Sequence, residues 1–278
     1  MLNTETKLFA ILGYPVRHSF SPIIQNKWFE KEHLNFAYLA FEPKDLELES
    51  TIKSLKKLKF NGFNITLPYK TEALKHVDVI DKSAKKIGSI NTVVISGNKL
   101  YGYNTDYLGF AKDLKEKKIV IENKNIVVIG AGGAARSIIA ALKAAKAKNV
   151  YIANRTLDKA RNLAREFKVK SIDIKNVKDM LDDVNLLVNC SSCGMKKDDK
   201  LPFSFGKIKS GLIVYDLIYN KKTPFFKFAK INKLKIFTGE GMLIWQGAYA
   251  FKLWTGKFPD IKIAQKILKK FLKQGRNI

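Results

Sequence analysis

Residues 130–136 of this 278-residue chain read GAGGAAR, in which Gly130, Gly132 and Ala135 fit the spacing G-x-G-x-x-G/A. The context gives that spacing a use. Upstream, NKNIVVIG (123–130) is an apolar, β-branched run; downstream, GGAARSIIAALKAAK (132–146) contains no proline and many good helix formers. Between a strand and a helix, Gly130 permits a tight turn, Gly132 lets backbone approach a pyrophosphate, and Ala135 keeps helix and strand close, while N–H groups at the helix start attract phosphate. The expected chemistry is dinucleotide binding. At the end of the next apolar run, NVYIANR (149–155), a site for NAD would usually place a carboxylate against the ribose hydroxyls. Asn154, Arg155 and Thr156 stand there instead. Amide, guanidinium and hydroxyl can all donate to a 2′-phosphate that an acid would repel, so NADP is the expected cofactor. Thr156 also suits the cap of a following helix, LDKARNLAREF (157–167), and the two uses are compatible.

Other residue types offer less. Cys190 and Cys193 form a C-x-x-C, but no second cysteine pair exists, and His18, His33 and His76 lack the spacing of metal ligands. We expect two structural thiols, no disulfide and no metal. The formal net charge of +26 brings nucleic-acid binding into question. Only six of the 51 basic residues are arginine, however, and lysines are spread along segments such as TIKSLKKLK (51–59). Base readout and bidentate phosphate recognition lean on arginine. The expectation is a solvated lysine-rich surface that gathers anionic ligands in a salt-sensitive way, with no nucleic-acid partner.

The elements that must position these residues alternate along the whole chain. KLFAILGYP, SPIIQNKWFEKEHL, FAYLAFE, DLELESTIKSLKKLK (45–59) and FNGFNITL read as βαβαβ, and NTVVISGNKLYGYN (91–104) as a hairpin turning at Gly97 and Asn98. A second series opens with the glycine-rich turn and continues through strands at NLLVNC (185–190) and GLIVYDLIY (211–219) and a helix at TPFFKFAK (223–230). Two helices without an intervening strand, 241–254 and 260–275, close the chain and are expected to fold back onto the first series. The fold class is α/β in two domains: an N-terminal α/β domain of residues 1–104 and 240–278 with a mainly parallel sheet, and a Rossmann NADP-binding domain of residues 105–239. The first residues, MLNTETKLFAILGYP, show no secretory pattern, and no stretch approaches a membrane span, so a soluble cytoplasmic protein is expected.

Eight segments in order resemble the shikimate dehydrogenase family: GYPVRHSFSP (13–22), NGFNITLPYK (61–70), GSINTVV (88–94), YNTDYLGF (103–110), VIGAGGAAR (128–136), ANRT (153–156), DLIYNKKTPF (216–225) and GEGMLIWQGAYAF (239–251). The likeness covers nearly the whole chain. It implies reversible, NADPH-dependent reduction of 3-dehydroshikimate to shikimate, a step of aromatic amino-acid biosynthesis, by a monomer or homodimer acting on a small molecule.

Residue by residue, the resemblance puts catalysis on Lys70 and Asp106. Chemistry agrees, because ketone reduction needs a proton at the carbonyl oxygen as hydride reaches carbon, and a lysine ammonium beside a carboxylate can polarise that oxygen and supply the proton. Lys70 would otherwise be one lysine among many. NITLPYK places it just after a strand end and Pro68, at the carboxyl edge where α/β sheets bind ligands. The same resemblance implies Ser19 and Ser21 on the substrate carboxylate, and Thr66, Asn91, Tyr219 and Gln246 as further substrate contacts. Ser21, followed by Pro22, reads equally as a helix N-cap, which leaves Ser19 the sharper ligand. For the cofactor it implies Gly130, Ala131, Gly132, Gly133, Ala134, Asn154, Arg155, Thr156, Leu217, Gly239 and Met242, the last two near the nicotinamide. One departure is Lys221, where proline commonly follows the asparagine. A quinate/shikimate dehydrogenase using NAD is disfavoured by Asn154-Arg155-Thr156, and a glutamyl-tRNA reductase by the lack of any cysteine before Cys190. A non-catalytic NADPH-binding regulator is disfavoured by the presence of both Lys70 and Asp106.

Overall fold

A computed structural model of the chain describes residues 2–43, 47–196, 198–204 and 206–273. The chain divides into two compact units, Met1–Gly109 with Leu243–Ile278, and Phe110–Met242.

In the first unit, β1 (Lys7–Leu12), α1 (Ser21–Lys31), β2 (Phe36–Phe41), α2 (Leu48–Lys57) and β3 (Gly62–Ile65) follow the expected βαβαβ order. Residues 45 and 46, where the second helix was expected to begin, lie outside the described residues. α2 buries Leu48, Ile52 and Leu55, the i, i+4, i+7 stripe of an amphipathic helix. A 3-10 turn (Glu72–His76), β4 (Val79–Ile80) and α3 (Lys82–Ile87) lead to the hairpin of β5 (Thr92–Ser96) and β6 (Lys99–Tyr103). Gly97 takes φ 58°, the positive angle a two-residue hairpin needs at its first central position. α4 (Thr105–Glu116) follows.

The sheet order is β2-β1-β3-β5-β6-β4. β1 pairs with β2 and β3 in parallel, and β4 with β6; β5 is antiparallel to both β3 and β6. This arrangement gathers the site. Leu12 stands beside Ile65, so the loops after β1 and β3 leave one edge, and Thr92 pairs with both Asn64 and Tyr103, so β5 starts and β6 ends there too. Ala10, Leu12, Ile52, Phe63, Ile65 and Val93 form the core beneath that edge.

The second unit contains β7 (Asn125–Ile129), α5 (Gly133–Ala144), β8 (Asn149–Asn154), α6 (Leu157–Phe167), β9 (Lys170–Asp173), a 3-10 segment (Ile174–Met180), β10 (Leu186–Asn189), β11 (Ile213–Asp216), α7 (Pro224–Ile231) and β12 (Lys235–Thr238). All its pairings are parallel, in the order β12-β11-β10-β7-β8-β9. The chain winds outward from β7 in one direction, returns and winds outward in the other, the doubly wound order with its reversal between β7 and β10. β7 and β10 are buried throughout, as strands covered on both faces must be.

α8 (Glu240–Thr255) and α9 (Ile261–Lys273) end the described chain; residues 274 and 275, expected as the last of the second tail helix, lie outside it. From Leu243 onward these helices belong to the first unit. Gln25 Nε2 donates to Gly247 O at 2.9 Å, Trp28 Nε1 to Asp260 O at 2.9 Å, and Trp254 Nε1 to Val93 O at 3.1 Å. The return of the tail to the first series is thus built from one buried amide and two indole donors. No helix among the described residues is long and apolar enough to cross a membrane.

Candidate active site

Lys70 reaches its position through a turn. Thr66 continues the ladder by donating from its N to Leu12 O, and Tyr69 N closes Thr66–Tyr69 on Thr66 O at 3.0 Å. Lys70 comes next, its own carbonyl accepting from Ile90 N at 2.9 Å, so its backbone is fixed to the segment that carries Asn91. Asp106 is placed by a helix cap. Asn104 Oδ1 accepts from Tyr107 N at 3.0 Å while Asn104 Nδ2 donates to Ser89 O and Oγ, which locks the start of α4 and sets Asp106 in its first turn. A carboxylate there also gains from the helix dipole.

Lys70 Nζ donates to Asp106 Oδ2 at 2.6 Å, with the two side chains 15% and 5% exposed. Asn91 holds the other carboxylate oxygen: its Nδ2 lies 3.0 Å from Asp106 Oδ1, 3.0 Å from Thr105 Oγ1 and 3.3 Å from Gln246 Oε1. Its Oδ1 accepts from Thr105 N at 2.7 Å and lies within reach of the Thr105 and Thr92 hydroxyls. Behind this stands a second tier. Asn64 Nδ2 donates to Asn91 O and to Thr92 Oγ1, and Tyr38 Oη donates to Asn64 Oδ1 at 2.6 Å. A carboxylate can only accept, so a donor on each oxygen holds Asp106 in one rotamer and leaves the ammonium edge of Lys70 for a substrate oxygen. Such a pair can polarise a carbonyl and deliver a proton to it.

In the second unit the carboxyl edge is set by register. Ile129 pairs with Ala153 and with Asn189, Asn189 with Asp216, and Asp216 with Thr238, so Gly130, Asn154, Cys190, Leu217 and Gly239 all leave one edge. Gly130 has φ 111°, and a Cβ there would sit 3.0 Å from the backbone of Cys190 and Ser191. Gly132 differs. Its φ is −94° and a Cβ would meet nothing of the protein within 4 Å, so packing within the protein does not require a glycine there. The first turn of α5 carries no acidic residue, and no ion pair ties the exposed Arg155 to a carboxylate among the described residues. Arg136 is committed elsewhere, to a bidentate pair with Glu166. An open approach to a helix N-terminus with an unopposed guanidinium nearby fits an anionic dinucleotide.

Three family models match: the shikimate dehydrogenase substrate binding domain over residues 11–93, shikimate/quinate 5-dehydrogenase over residues 113–196, and the shikimate 5′-dehydrogenase C-terminal domain over residues 239–269. A shikimate dehydrogenase (NADP(+)) of Aquifex aeolicus is 41% identical over 266 residues, 96% of this chain and 97% of that one. The chain belongs to the shikimate dehydrogenase family. Crystal structures of two members superimpose closely. The Aquifex aeolicus shikimate dehydrogenase gives a TM-score of 0.90 at 39% identity over 96% of this chain and 98% of that one. The shikimate 5-dehydrogenase of Thermus thermophilus, in complex with NADP(H) and shikimate, gives 0.83 at 35% over 95% and 99%.

Of the positions singled out by likeness to shikimate dehydrogenases, Lys70, Asp106, Asn91 and Gln246 share one hydrogen-bonded group, and Ser19, Ser21 and Thr66 stand on or just past the same unit's loops. Tyr219 belongs to the second unit, as do Ala131, Gly133, Ala134, Leu217, Gly239 and Met242. Gly239 runs against Leu217: a Cβ on it would lie 2.1 Å from Leu217 O. Two capping expectations change. Ser21 is the first residue of α1 and not its cap; Phe20 precedes the helix with αR angles, and Ser19 Oγ instead accepts from Ser21 N at 3.3 Å. Thr156 does stand at the N-cap of α6, but its side chain makes no capping bond, while Asn154 Nδ2 donates to Thr156 O at 3.0 Å.

Lys221, the departure from the family pattern, donates to Met195 O at 2.6 Å and so ties the turn after β11 to the loop after β10. Burial pushes the Cys190 thiol far above its usual range and Cys193 up to about 11, each with help from nearby carboxylates. Both are therefore poor nucleophiles at neutral pH. The supporting residues Tyr38, Asn64, Thr92 and Thr105 received no role from motif reading. A signal did exist: Asn64 is a polar residue within the strand-like run FNGFNITL, and since that strand is buried at all four residues its amide must find partners.

Proposed function

We propose that this chain catalyses the reversible reduction of 3-dehydroshikimate to shikimate with NADPH, with Lys70 and Asp106 as the catalytic pair and Ser19, Ser21, Thr66, Asn91, Tyr219 and Gln246 as substrate contacts. The observation that carries this is the 2.6 Å pairing of the Lys70 ammonium with an Asp106 carboxylate whose other oxygen is held by Asn91. NADPH, when bound, supplies the hydride. Lys70 Nζ delivers a proton to the ketone oxygen as that oxygen becomes a hydroxyl, and takes it back in the oxidation direction. Asp106 keeps the ammonium in place and balances its charge. The hydroxyls of Ser19 and Ser21 donate to the substrate carboxylate without adding charge.

Residues 105–239 would hold NADP, and residues 1–104 with 240–278 the substrate. Gly130 to Ala134 would seat the pyrophosphate, Asn154, Arg155 and Thr156 the 2′-phosphate, and Leu217, Gly239 and Met242 the nicotinamide side. The fit rests on Gly132, where a Cβ would enter open space, and on the absence of an acid in the Asn154-Arg155-Thr156 turn. We place the enzyme in the cytoplasm, as a monomer or homodimer, with neither nucleic acid nor membrane as partner.

The test is a spectrophotometric assay of the purified protein with shikimate or quinate and with NADP⁺ or NAD⁺. Shikimate-dependent NADPH formation, preferring NADP⁺ over NAD⁺, is expected. Lys70→Ala should lower kcat by about 10²- to 10⁴-fold, the usual range for a lost acid–base group, with a much smaller change in KM. A large rise in KM at unchanged kcat would remove Lys70 from the chemistry, and no activity with any pairing would point to the regulator reading.

A further inference from the structure

The loop that carries Ser19 leaves β1 at Leu12 and must cross to α1 with little structure of its own. It is held on one side by Tyr14 N, which donates to Leu67 O at 2.9 Å. On the other side stands Glu42, one residue beyond β2. Glu42 Oε1 accepts from Val16 N at 2.7 Å and from Arg17 N at 3.2 Å, and its Oε2 takes Arg17 Nε at 3.1 Å. From there the bonds run on without a gap: Ser19 N donates to Val16 O at 2.9 Å, and Ser19 Oγ accepts from Ser21 N. Val16 to Ser19 is therefore a single turn clamped at its first two amides by one carboxylate, with Ser19 as its last residue.

We propose that Glu42 is a positioning residue for the substrate carboxylate: it fixes the Val16–Ser19 turn so that the Ser19 hydroxyl is presented to the ligand. The proposal rests on the reading of Ser19 as a substrate contact. Glu42 touches no substrate itself. Its negative charge would oppose an anionic ligand, and the Arg17 guanidinium on Oε2 offsets that charge. The Arg17 side chain is 90% exposed, so its ion pair adds little on its own; the two charge-assisted bonds to backbone amides are the anchor. The Val16 amide first, then Arg17, hold the Glu42 carboxyl below its ordinary range, as expected of a carboxylate that is used as an acceptor.

The experiment compares Glu42→Ala, Glu42→Gln and Ser19→Ala by steady-state kinetics with shikimate and NADP⁺, and by amide hydrogen exchange of the peptide containing residues 14–20. Glu42→Ala should raise KM for shikimate about tenfold, the scale of one lost charge-assisted anchor, with kcat and KM for NADP⁺ within about twofold. Exchange at Val16, Arg17 and Ser19 should quicken while β1 stays protected. Glu42→Gln keeps an acceptor oxygen and should recover most of both. If Ser19→Ala raises KM for shikimate and Glu42→Ala does not, the Glu42 proposal fails alone. If Ser19→Ala leaves KM unchanged, the Ser19 reading fails and takes the proposal with it, even where exchange quickens. Equal rises in KM for shikimate and NADP⁺ would show general loosening and overturn the proposal.

Discussion

Thr105 has no acid–base chemistry to offer, yet it decides which way Asn91 faces. Were the Asn91 amide turned over, its oxygen would meet Asp106 Oδ1, and two acceptors would oppose each other. The Thr105 amide, which can only donate, prevents this by its bond to Asn91 Oδ1, and the Thr105 and Thr92 hydroxyls strengthen the same arrangement. Thr105→Val removes one hydroxyl and keeps both the shape and the amide, so kcat should fall about tenfold, near the 1.36 kcal/mol that a decade of rate represents. Thr105→Ser should restore it, and equal kcat in all three proteins would show that the Thr105 amide orients Asn91 without help from the hydroxyl. Asp216 makes a second case, in the other unit. Burial raises its pKa, although bonds from Thr223, Asn189 and the Ile218 amide pull the other way. A carboxyl raised in the folded state favours folding below its unfolded pKa, and that contribution is lost as pH rises through the folded value. The unfolding free energy of the native protein minus that of Asp216→Asn, which cannot ionise, should therefore be greatest below the ordinary aspartate value of about 3.9 and fall as pH rises above it. A difference independent of pH would mean that burial has not moved this group.

At the level of elements, the turn from β7 into α5 separates two reasons for glycine. Gly130 has positive φ and no room for a Cβ beside Cys190 and Ser191, so Gly130→Ala should destabilise the protein by about 1–3 kcal/mol and weaken NADP binding as well. Gly132 has neither constraint within the protein. Gly132→Ala should cost about 0.5 kcal/mol of stability, as a small change at a helix cap, while KM for NADP⁺ rises severalfold. Urea unfolding measured beside KM decides it: a Gly132→Ala protein with unchanged KM would leave the open space there without a ligand to explain it. This turn was legible because strand, spacing and helix all follow from local residue types. β9 and β12 were not. Each begins with an exposed lysine, and neither contains a fully buried residue, because each lies at an edge of the sheet and lacks the apolar run that reveals β7. The site divides the same way. Lys70 and Asp106 were legible only through the motifs around them. The clamp of Glu42 on Val16 and the seat of Asn91 on Thr105 join residues 26 and 14 positions apart, which spacing along a chain does not reveal.

The whole molecule carries 51 basic and 25 acidic side chains, and this surplus of +26 acts at a range that no single contact has. Long-range potentials of this kind raise the local concentration and the encounter rate of oppositely charged ligands, and they are screened as the Debye length shrinks from about 30 Å at 0.01 M salt to about 10 Å at 0.1 M. Chemistry at a buried pair such as Lys70–Asp106 feels little of that screening. Added salt should therefore lower kcat/KM severalfold while leaving kcat nearly constant. The magnitude should also follow ligand charge, since NADP⁺ with its phosphates is more strongly attracted than shikimate with one carboxylate. Steady-state kinetics across a salt series, varying each ligand in turn, reads both effects. A steeper fall for NADP⁺ than for shikimate supports attraction by the lysine surface as a whole. Equal slopes for the two ligands, or a parallel fall in kcat, would mean that salt acts on the fold or the chemistry, and that the surplus charge does nothing for catalysis.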